Sequence, residues 1–193
     1  MKKIPIDIVL LPPDDIMDLC INLSERAYHR GENQFLRSKT DRLPHISIMM
    51  GCLHEEDKNE VINLLETVLK DLTPLQLILT SQNTNGGLDI KKTKELTGLQ
   101  EKLIENINPL LHQDCELTDL LEDEFDKTSR LWVNDFVEIS TGEKFNPHIT
   151  THNTREENIK LPINFLANRV ALCHMGDHGT CKKILWETNL KNN

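Results

Sequence analysis

Glycine, proline and aromatic residues are few in this sequence, and long apolar runs are absent from it. Glycine and proline contribute only 8 residues each to the 193, and aromatic residues make up 4%. This excludes a collagen-like, low-complexity or disordered chain. No apolar run approaches the roughly 20 residues that cross a bilayer, and no signal-peptide core follows Met1, Lys2 and Lys3. We therefore expect a folded cytoplasmic protein with no membrane partner.

The five cysteines are odd in number and include no C-x-x-C pair. That usage argues against a disulfide framework, so we expect mostly buried, small apolar side chains in a reducing compartment. One group, Cys173, His174, His178 and Cys181, has the residue types that bind zinc. Because Cys173 and His174 are adjacent in a predicted strand, they would point to opposite faces. A zinc-dependent protein stays an alternative that the metal content would test.

The chain carries a formal net charge of −9 with a pI of about 5.4. A protein of that charge repels polyanions, so a broad surface for duplex nucleic acid is not expected. Any nucleotide ligand should be short or held in a local basic pocket. Arg37, Lys39 and Arg42 form a basic loop that can contact a phosphate, and Arg42 is the candidate substrate-binding residue among them.

Hydrophobic periodicity predicts strands alternating with helices. In the first half we expect a strand at 3–11, a helix capped by Asp14 or Asp15, a strand at 43–51, a helix at 55–72, a strand at 75–79, and a hairpin into 88–90. In the second half we expect a helix at 94–111, a solvated acidic loop at 116–126, and strands at 146–151, 165–174 and 180–186. Residues 128–139 fit a helix and a strand equally well.

Two segments in different halves of the chain share one pattern. Residues 44–47 read Pro-His-Ile-Ser, and residues 147–150 read Pro-His-Ile-Thr, each within an apolar strand. A His-x-Ser/Thr match alone is weak, and a third one begins at His178. The shared Pro-His-Ile core and the strand context raise the first two above chance.

The two-residue period of a strand explains what such a motif can do. It puts His45 and Ser47 on one face, and His148 and Thr150 on one face of the second strand. Two strands side by side would then form a cleft in which four polar groups converge. Histidines can act as general acid and base near neutral pH, and hydroxyls can donate hydrogen bonds to phosphate oxygens. The pattern favours phosphodiester chemistry without a metal or cofactor.

With these residues the sequence resembles the 2H phosphoesterase superfamily, which includes 2′-5′ RNA ligases and 2′,3′-cyclic nucleotide phosphodiesterases. The resemblance rests on P-H-I-S at 44–47, F-N-P-H-I-T at 145–150, the helix after the first motif, and the stretch ALCHMGDHGTCKKILWETNL. It implies a bilobal α+β fold with two pseudo-twofold-related antiparallel sheets flanked by helices. Residues 1–193 would form one domain whose two lobes share a central cleft. Thr151 departs from the usual aliphatic residue, at a position expected to face away from that cleft.

The resemblance also implies a mechanism. One histidine takes a proton from the attacking water, the other protonates the departing ribose oxygen, and Ser47 and Thr150 hold the equatorial oxygens. The family analogy makes His148 the base and His45 the acid, but the pseudo-symmetry leaves the assignment open. His152 would lie on the same face as His148 if the strand continues that far, which makes it a candidate substrate contact.

We therefore expect a monomeric, metal-independent phosphoesterase that acts on 2′,3′-cyclic phosphates or 2′-5′ linkages in single-stranded RNA ends or small nucleotides. A 2′-5′ RNA ligase and a cyclic oligonucleotide hydrolase are alternatives within that class. A non-catalytic nucleotide-binding module is the alternative of another class. No protein partner is evident.

Overall fold

The computed structural model of the chain describes residues 2–122, 126–127, 130–155 and 157–191. Their strands pair in the order β6-β3-β4-β5-β2-β1-β7-β8. These strands are β1 (Lys3–Leu11), β2 (Ile46–His54), β3 (Leu75–Gln82), β4 (Gly87–Ile90), β5 (His148–Thr150), β6 (Ile163–Ala167), β7 (Arg169–Met175) and β8 (Cys181–Asn189). The α-helices in the same residues are α1 (Asp14–His29), α2 (Lys58–Leu69), α3 (Lys94–Ile107) and α4 (Phe136–Ile139).

The eight strands divide into two four-stranded antiparallel sheets. Within the described residues, β2 and β5 are joined by one residue pair, Ile46 opposite Ile149, whereas β1 and β2 pair along most of their length. Each sheet places its motif strand at this junction. From the junction outward, β1, β7 and β8 correspond to β4, β3 and β6. The predicted α+β fold with two pseudo-twofold-related sheets is confirmed.

The helices follow the apolar periods of the sequence. Helix α3 begins where the Thr93 hydroxyl accepts a hydrogen bond from the Leu96 amide at 3.2 Å. Its buried stripe contains Leu96, Leu99, Leu103 and Ile107. Helix α1 differs from the prediction at its start, because Pro13 occupies the N-cap position and no side chain caps the helix. Asp14 and Asp15 lie in its first turn, where their charges favour the helix dipole.

The single strand predicted at 165–174 is wrong, because the chain forms two strands there. Strand β6 pairs with β3 in one sheet, and β7 pairs with β1 in the other. The chain crosses between the sheets at Asn168, whose carbonyl accepts a hydrogen bond from the Leu190 amide at 2.7 Å. Both runs are apolar, so the hydrophobic pattern contains no sign of the crossing.

The region between α3 and β5 is largely irregular. The segment that fits helix and strand equally forms a 3-10 turn at Trp132–Asn134 followed by α4. Residues 123–125 of the predicted acidic loop and residues 128–129 lie outside the described part. The prediction of a solvated acidic face is wrong at Glu122, whose side chain is 6% exposed and pairs with Arg42 and Lys182.

Two pairs of cysteines are bonded, which corrects the expectation that the cysteines are free. Cys52 pairs with Cys115, and Cys173 pairs with Cys181, while Cys20 is free and buried. The odd number of cysteines suggested that none is paired, but it only reflects the one free residue, Cys20. The bonded partners are 63 and 8 residues apart, so no short spacing motif marks them. None of the helices in the described chain combines the length and apolar character that spanning a bilayer requires.

Candidate active site

The two histidine motifs meet at the junction of the two sheets. Ile46 and Ile149, each the residue after a motif histidine, pair antiparallel and are fully buried. In that register His45 lies across from Thr150, and Ser47 lies across from His148. Each histidine is therefore placed beside the hydroxyl of the other motif.

A cavity of about 460 Å³ lies over this junction, and His45, Ser47, His148 and Thr150 all line it. The volume is in the range of small-molecule sites. The structure thus brings together the four residues predicted to be catalytic, in one cleft formed by both sheets.

The lining of the cleft is positively charged although the protein is acidic. Arg130 and Lys144 line the cavity, and no carboxylate from the described residues does, although Asp135 pairs with the Arg130 guanidinium. The Lys144 ammonium donates to the Glu138 backbone carbonyl at 2.9 Å, which leaves its charge uncompensated by that contact. Such a lining suits an anionic ligand.

The two motif histidines are oriented by the same local hydrogen bond. The Nδ1 atom of His45 lies 2.7 Å from the Leu43 carbonyl oxygen, and that of His148 lies 2.9 Å from the Asn146 carbonyl oxygen. A carbonyl oxygen only accepts, so Nδ1 carries a proton in both rings. This leaves the Nε2 atom of each imidazole to accept or release a proton.

A buried carboxylate, Asp7 on β1, lies behind the first motif, and sequence reasoning missed it. Its side chain is fully buried, and its Oδ2 atom lies 3.4 Å from His45 Nε2. Burial raises the pKa of Asp7, and the neighbouring imidazole and the Ser47 hydroxyl oppose that rise. The signal was present in the sequence, because Asp7 lies between Ile6 and Ile8 and must point to the opposite face of the strand.

The two motif hydroxyls differ in their partners. Ser47 Oγ donates to Asp7 Oδ2 at 2.6 Å, so its proton is not directed at the cleft. Within the described chain the Thr150 hydroxyl has no such side-chain partner. Thr150 is therefore free to donate to a bound phosphate oxygen, whereas Ser47 positions Asp7 in the ligand-free state.

His152 lines the cleft, but not as a continuation of the strand. Strand β5 ends at Thr150, and His152 has a positive φ of 56°. The Arg37 guanidinium donates to its Nε2 at 3.0 Å. An imidazole that accepts from an arginine is neutral, and burial together with Arg37 lowers the pKa of His152 to about 3. At neutral pH the His152 imidazole is therefore neutral and does not act as a general acid.

The turn before β4 helps to hold this segment in place. Gly86 has a φ of 83°, and a Cβ there would approach the His152 backbone to 2.8 Å. The Gly86 carbonyl accepts from both the amide and the hydroxyl of Thr151, at 2.8 and 3.1 Å. Thr151 is fully buried and does not line the cleft, which agrees with its expected orientation.

The basic loop does not offer three free cations to a phosphate. Arg42 is absent from the cleft lining, and its guanidinium pairs with Asp41 and with both oxygens of Glu122. Lys39 pairs with Asp14 and Asp18 on α1. Arg37 is buried behind His152, and desolvation lowers its pKa to about 10, so it stays charged. The structure therefore does not bring Arg42 to the predicted substrate position.

The C-terminal cysteine and histidine group does not form a zinc site. Cys173 and Cys181 are bonded to each other, and the His174 Nε2 lies 3.0 Å from the Asp119 carbonyl oxygen. His178 instead reaches the cleft. The third His-x-Ser/Thr match of the sequence begins at this residue. The His178 ring stacks on Phe35 with centroids 6.1 Å apart.

Aromatic side chains form the rim and floor of the cleft. Trp132 is 38% exposed, and the Arg130 guanidinium lies 4.4 Å from its ring centroid. Phe136 and Phe145 are buried and line the same cavity. Trp132 is therefore the ring with surface available for a flat ligand group.

The arrangement of these strands and motifs is that of the 2H phosphoesterase fold. A search of solved structures finds the same fold over the whole chain, which confirms at the level of fold the resemblance based on the motifs. No family model matches the chain, and no curated protein matches it in sequence.

Among these structures are those of LigT from E. coli. The apo form has a TM-score of 0.59 and 11% sequence identity, with 100% of each chain covered. The complex with NADP+ has a TM-score of 0.52 and 12% identity, and covers 98% of this chain and 99% of that one. A phosphoesterase structure matches with a TM-score of 0.50, 12% identity and the same coverage.

Proposed function

We propose that this protein is a phosphoesterase that hydrolyses 2′,3′-cyclic phosphates or 2′-5′ phosphodiester linkages in RNA ends or small nucleotides. The observation that carries the proposal is the pairing of Ile46 with Ile149. This pair turns both histidine and hydroxyl sets toward one cleft with a positively charged lining. Two proton-transfer groups facing one anion site suit acid–base cleavage of a phosphodiester.

The position of Asp7 supports one assignment of the two histidines over the other. A carboxylate 3.4 Å from Nε2 offsets the cost of holding a charged imidazole in the buried wall at His45. His148 is exposed, and no ion pair to it is present in the described chain. We therefore assign His45 as the general acid and His148 as the general base, with Asp7 as a positioning residue for His45.

The reaction then balances with one water. His148 Nε2 takes a proton from water as the water oxygen bonds to phosphorus. The bond from phosphorus to the ribose oxygen breaks, and that oxygen receives the proton of His45 Nε2. The product is a monophosphate with a free hydroxyl, and a proton moving from His148 back to His45 through solvent restores the starting state.

The other lining residues bind the substrate. The Thr150 hydroxyl donates to a non-bridging phosphate oxygen, and Lys144 provides positive charge at the same cleft. Trp132 offers an exposed face on which a base can stack. His152 accepts the Arg37 hydrogen bond at Nε2, so its Nδ1–H is the donor that remains for the ligand.

Nucleotides are found in complexes of the similar LigT structures, whose ligands include NADP+ and 3′-AMP. The volume of the cleft here fits a ligand of mononucleotide or dinucleotide size. The net charge of −9 further favours small or single-stranded substrates over duplexes. A monomeric enzyme stays our expectation, whereas the two bonded cysteine pairs are unusual for the cytoplasmic location that the sequence suggests.

Phosphorus NMR of 2′,3′-cyclic nucleotides with excess chelator tests the proposal. The wild type should convert the cyclic phosphate to one monophosphate isomer, and His45→Ala and His148→Ala should not. His29→Ala, which changes an exposed histidine on α1, is the matched control and should behave as wild type.

Two further arms separate the alternatives. RNA with a cyclic phosphate end and RNA with a 5′-hydroxyl are incubated together, and formation of a 2′-5′ linkage without hydrolysis would identify a ligase. Binding of 3′-AMP without conversion of any cyclic or 2′-5′ substrate would contradict the proposal and indicate a nucleotide-binding module.

A further inference from the structure

A second cluster of chemically active side chains lies outside the cleft, at the far end of β2. One ligand atom each of His54, Asp57 and His112 lies within 4.8 Å of the others. The Asp114 carboxylate is next to them, with Oδ1 3.7 Å from His54 Nε2. Two imidazoles with carboxylates are a donor set that zinc and similar divalent transition metals prefer.

One atom of this cluster has no partner. His54 is 9% exposed, and its Nε2 is buried without a hydrogen-bond partner among the described residues. The nearby Asp114 Oδ1 is beyond hydrogen-bonding distance. A buried ring nitrogen without a partner costs free energy, so it calls for an explanation. A bound cation would supply the missing partner.

The donors lie on two short segments that are fixed to each other. His54 ends β2, and Asp57 ends the 3-10 turn that follows it. The segment with His112 is held against β2 by two backbone hydrogen bonds with Cys52, of 3.2 and 2.8 Å, and by the bond between Cys52 and Cys115. This constraint keeps the two imidazoles close whether or not a ligand is bound.

The charges of the cluster also favour a cation. The Asp114 carboxylate faces two groups, the Lys3 ammonium and the His54 ring. Its Oδ2 lies 3.0 Å from Lys3 Nζ, which leaves Oδ1 directed toward His54. Asp57 Oδ2 lies 3.9 Å from His112 Nε2. Each imidazole thus has a carboxylate oxygen near it that is not hydrogen-bonded to it.

We propose that His54, Asp57 and His112 bind one divalent transition metal ion of the zinc class, with Asp114 as the adjacent fourth donor. The site is distinct from the cleft, because nine residues of strand separate His45 from His54, a distance of about 30 Å. The proposal is independent of the proposed function. We expect the ion to be structural, since it would tie the end of β2 to the segment after α3.

Binding requires at least one of the two rings to turn. The His54 and His112 rings are stacked, with centroids 3.7 Å apart and planes at 10°. A metal ion lies along the lone pair of each nitrogen at about 2.0–2.1 Å, so the rings must turn until these directions converge. His112 is exposed and can make most of that movement.

Zinc titration of the metal-free wild type against a chromophoric chelator tests the proposal. We expect one equivalent of zinc bound with a submicromolar Kd, and a higher melting temperature with zinc than without it. Cobalt(II) in place of zinc should give the visible absorption of a tetrahedral or five-coordinate N/O site. None of these readouts depends on phosphoesterase activity.

The variants are chosen so that a loss of zinc binding cannot be caused by unfolding or by a zinc ion bound in the cleft. His112→Gln and Asp57→Asn change exposed or half-buried side chains and should weaken zinc binding at least tenfold. His29→Gln and His148→Gln, an exposed histidine on α1 and a cleft histidine, should bind zinc as the wild type does. Loss of zinc binding in His148→Gln would place the ion in the cleft and overturn the proposal. Wild-type affinity in both His112→Gln and Asp57→Asn would also overturn it, as would a wild type that binds no zinc.

Discussion

The two halves of the cleft share a motif and differ in what lies behind it. Each half orients its histidine through a hydrogen bond to the carbonyl two residues earlier. On the first side, Asp7 of β1 contacts both His45 and Ser47. On the second side, Asp89 of β4 lies opposite His148 but is bound to Ser81 and Asn83. A symmetric fold therefore places its two motif histidines in different surroundings.

The largest expected effect is the loss of either imidazole. His45→Ala and His148→Ala should each lower kcat for 2′,3′-cyclic nucleotides by about 10²–10⁴-fold, because each removes one proton transfer in the transition state. Steady-state kinetics against the His29→Ala control measures this. If only one of the two variants loses activity, the claim that both imidazoles transfer a proton is wrong.

The pH dependence of the reaction is the second way to test the pair. One imidazole must be neutral and the other protonated, so the wild-type kcat/KM should follow a bell between about pH 5 and 8. His152 does not contribute a limb of that bell, because its pKa of about 3 keeps it neutral there. A profile that is flat across the interval would contradict the two-histidine mechanism.

Replacing the buried carboxylate should lower activity less than removing a histidine. Asp7→Asn keeps the shape and an acceptor for Ser47 but removes the charge beside His45. We expect kcat for cyclic nucleotides to fall by about 10–100-fold, with little change in KM. The same variant of the second half, Asp89→Asn, is the matched control and should leave kcat within about twofold of wild type.

Asp7→Asn should also raise stability at neutral pH, whereas loss of a residue with a purely structural role would lower it. Because burial raises the pKa of Asp7, the folded state binds its proton more tightly than the unfolded state does. Ionised Asp7 therefore costs stability as the pH rises above about 4, the unfolded value. We expect Asp7→Asn to unfold at a higher urea concentration than the wild type does at pH 7. A variant that is less stable at pH 7 would argue that Asp7 is there for packing.

The smallest expected effect on activity comes from removing the hydroxyl of Thr150 or of Ser47. Thr150→Val removes a donor that is free to bind phosphate and should lower kcat/KM by about tenfold. Ser47→Ala removes the hydrogen bond that holds Asp7, so its effect should be absent in an Asp7→Asn background. A double-mutant cycle measures this coupling. Additive effects of Ser47→Ala and Asp7→Asn would show that the serine acts on the substrate directly.

The sequence predicts most of the elements and the meeting of the motifs, since strand and helix periods and the repeated Pro-His-Ile core are local signals. It does not predict which strands are neighbours, and this is why the crossing at Asn168 and the bond between Cys52 and Cys115 were missed. Arg42 was misjudged for the same reason, because its partner Glu122 is distant in sequence. Asp7 is intermediate, because its position in an apolar strand was visible while its contact with His45 was not.

The most direct test of the asymmetry compares two leaving groups. A 3′-deoxynucleoside 2′-(4-nitrophenyl phosphate) releases 4-nitrophenolate, which needs no proton from a general acid. We predict that His45→Ala and Asp7→Asn hydrolyse this diester within about tenfold of the wild-type rate, while His148→Ala stays impaired by 10²-fold or more. Rescue of His148→Ala with continued loss in His45→Ala would reverse the assignment of acid and base, and equal impairment of all three variants would contradict the account.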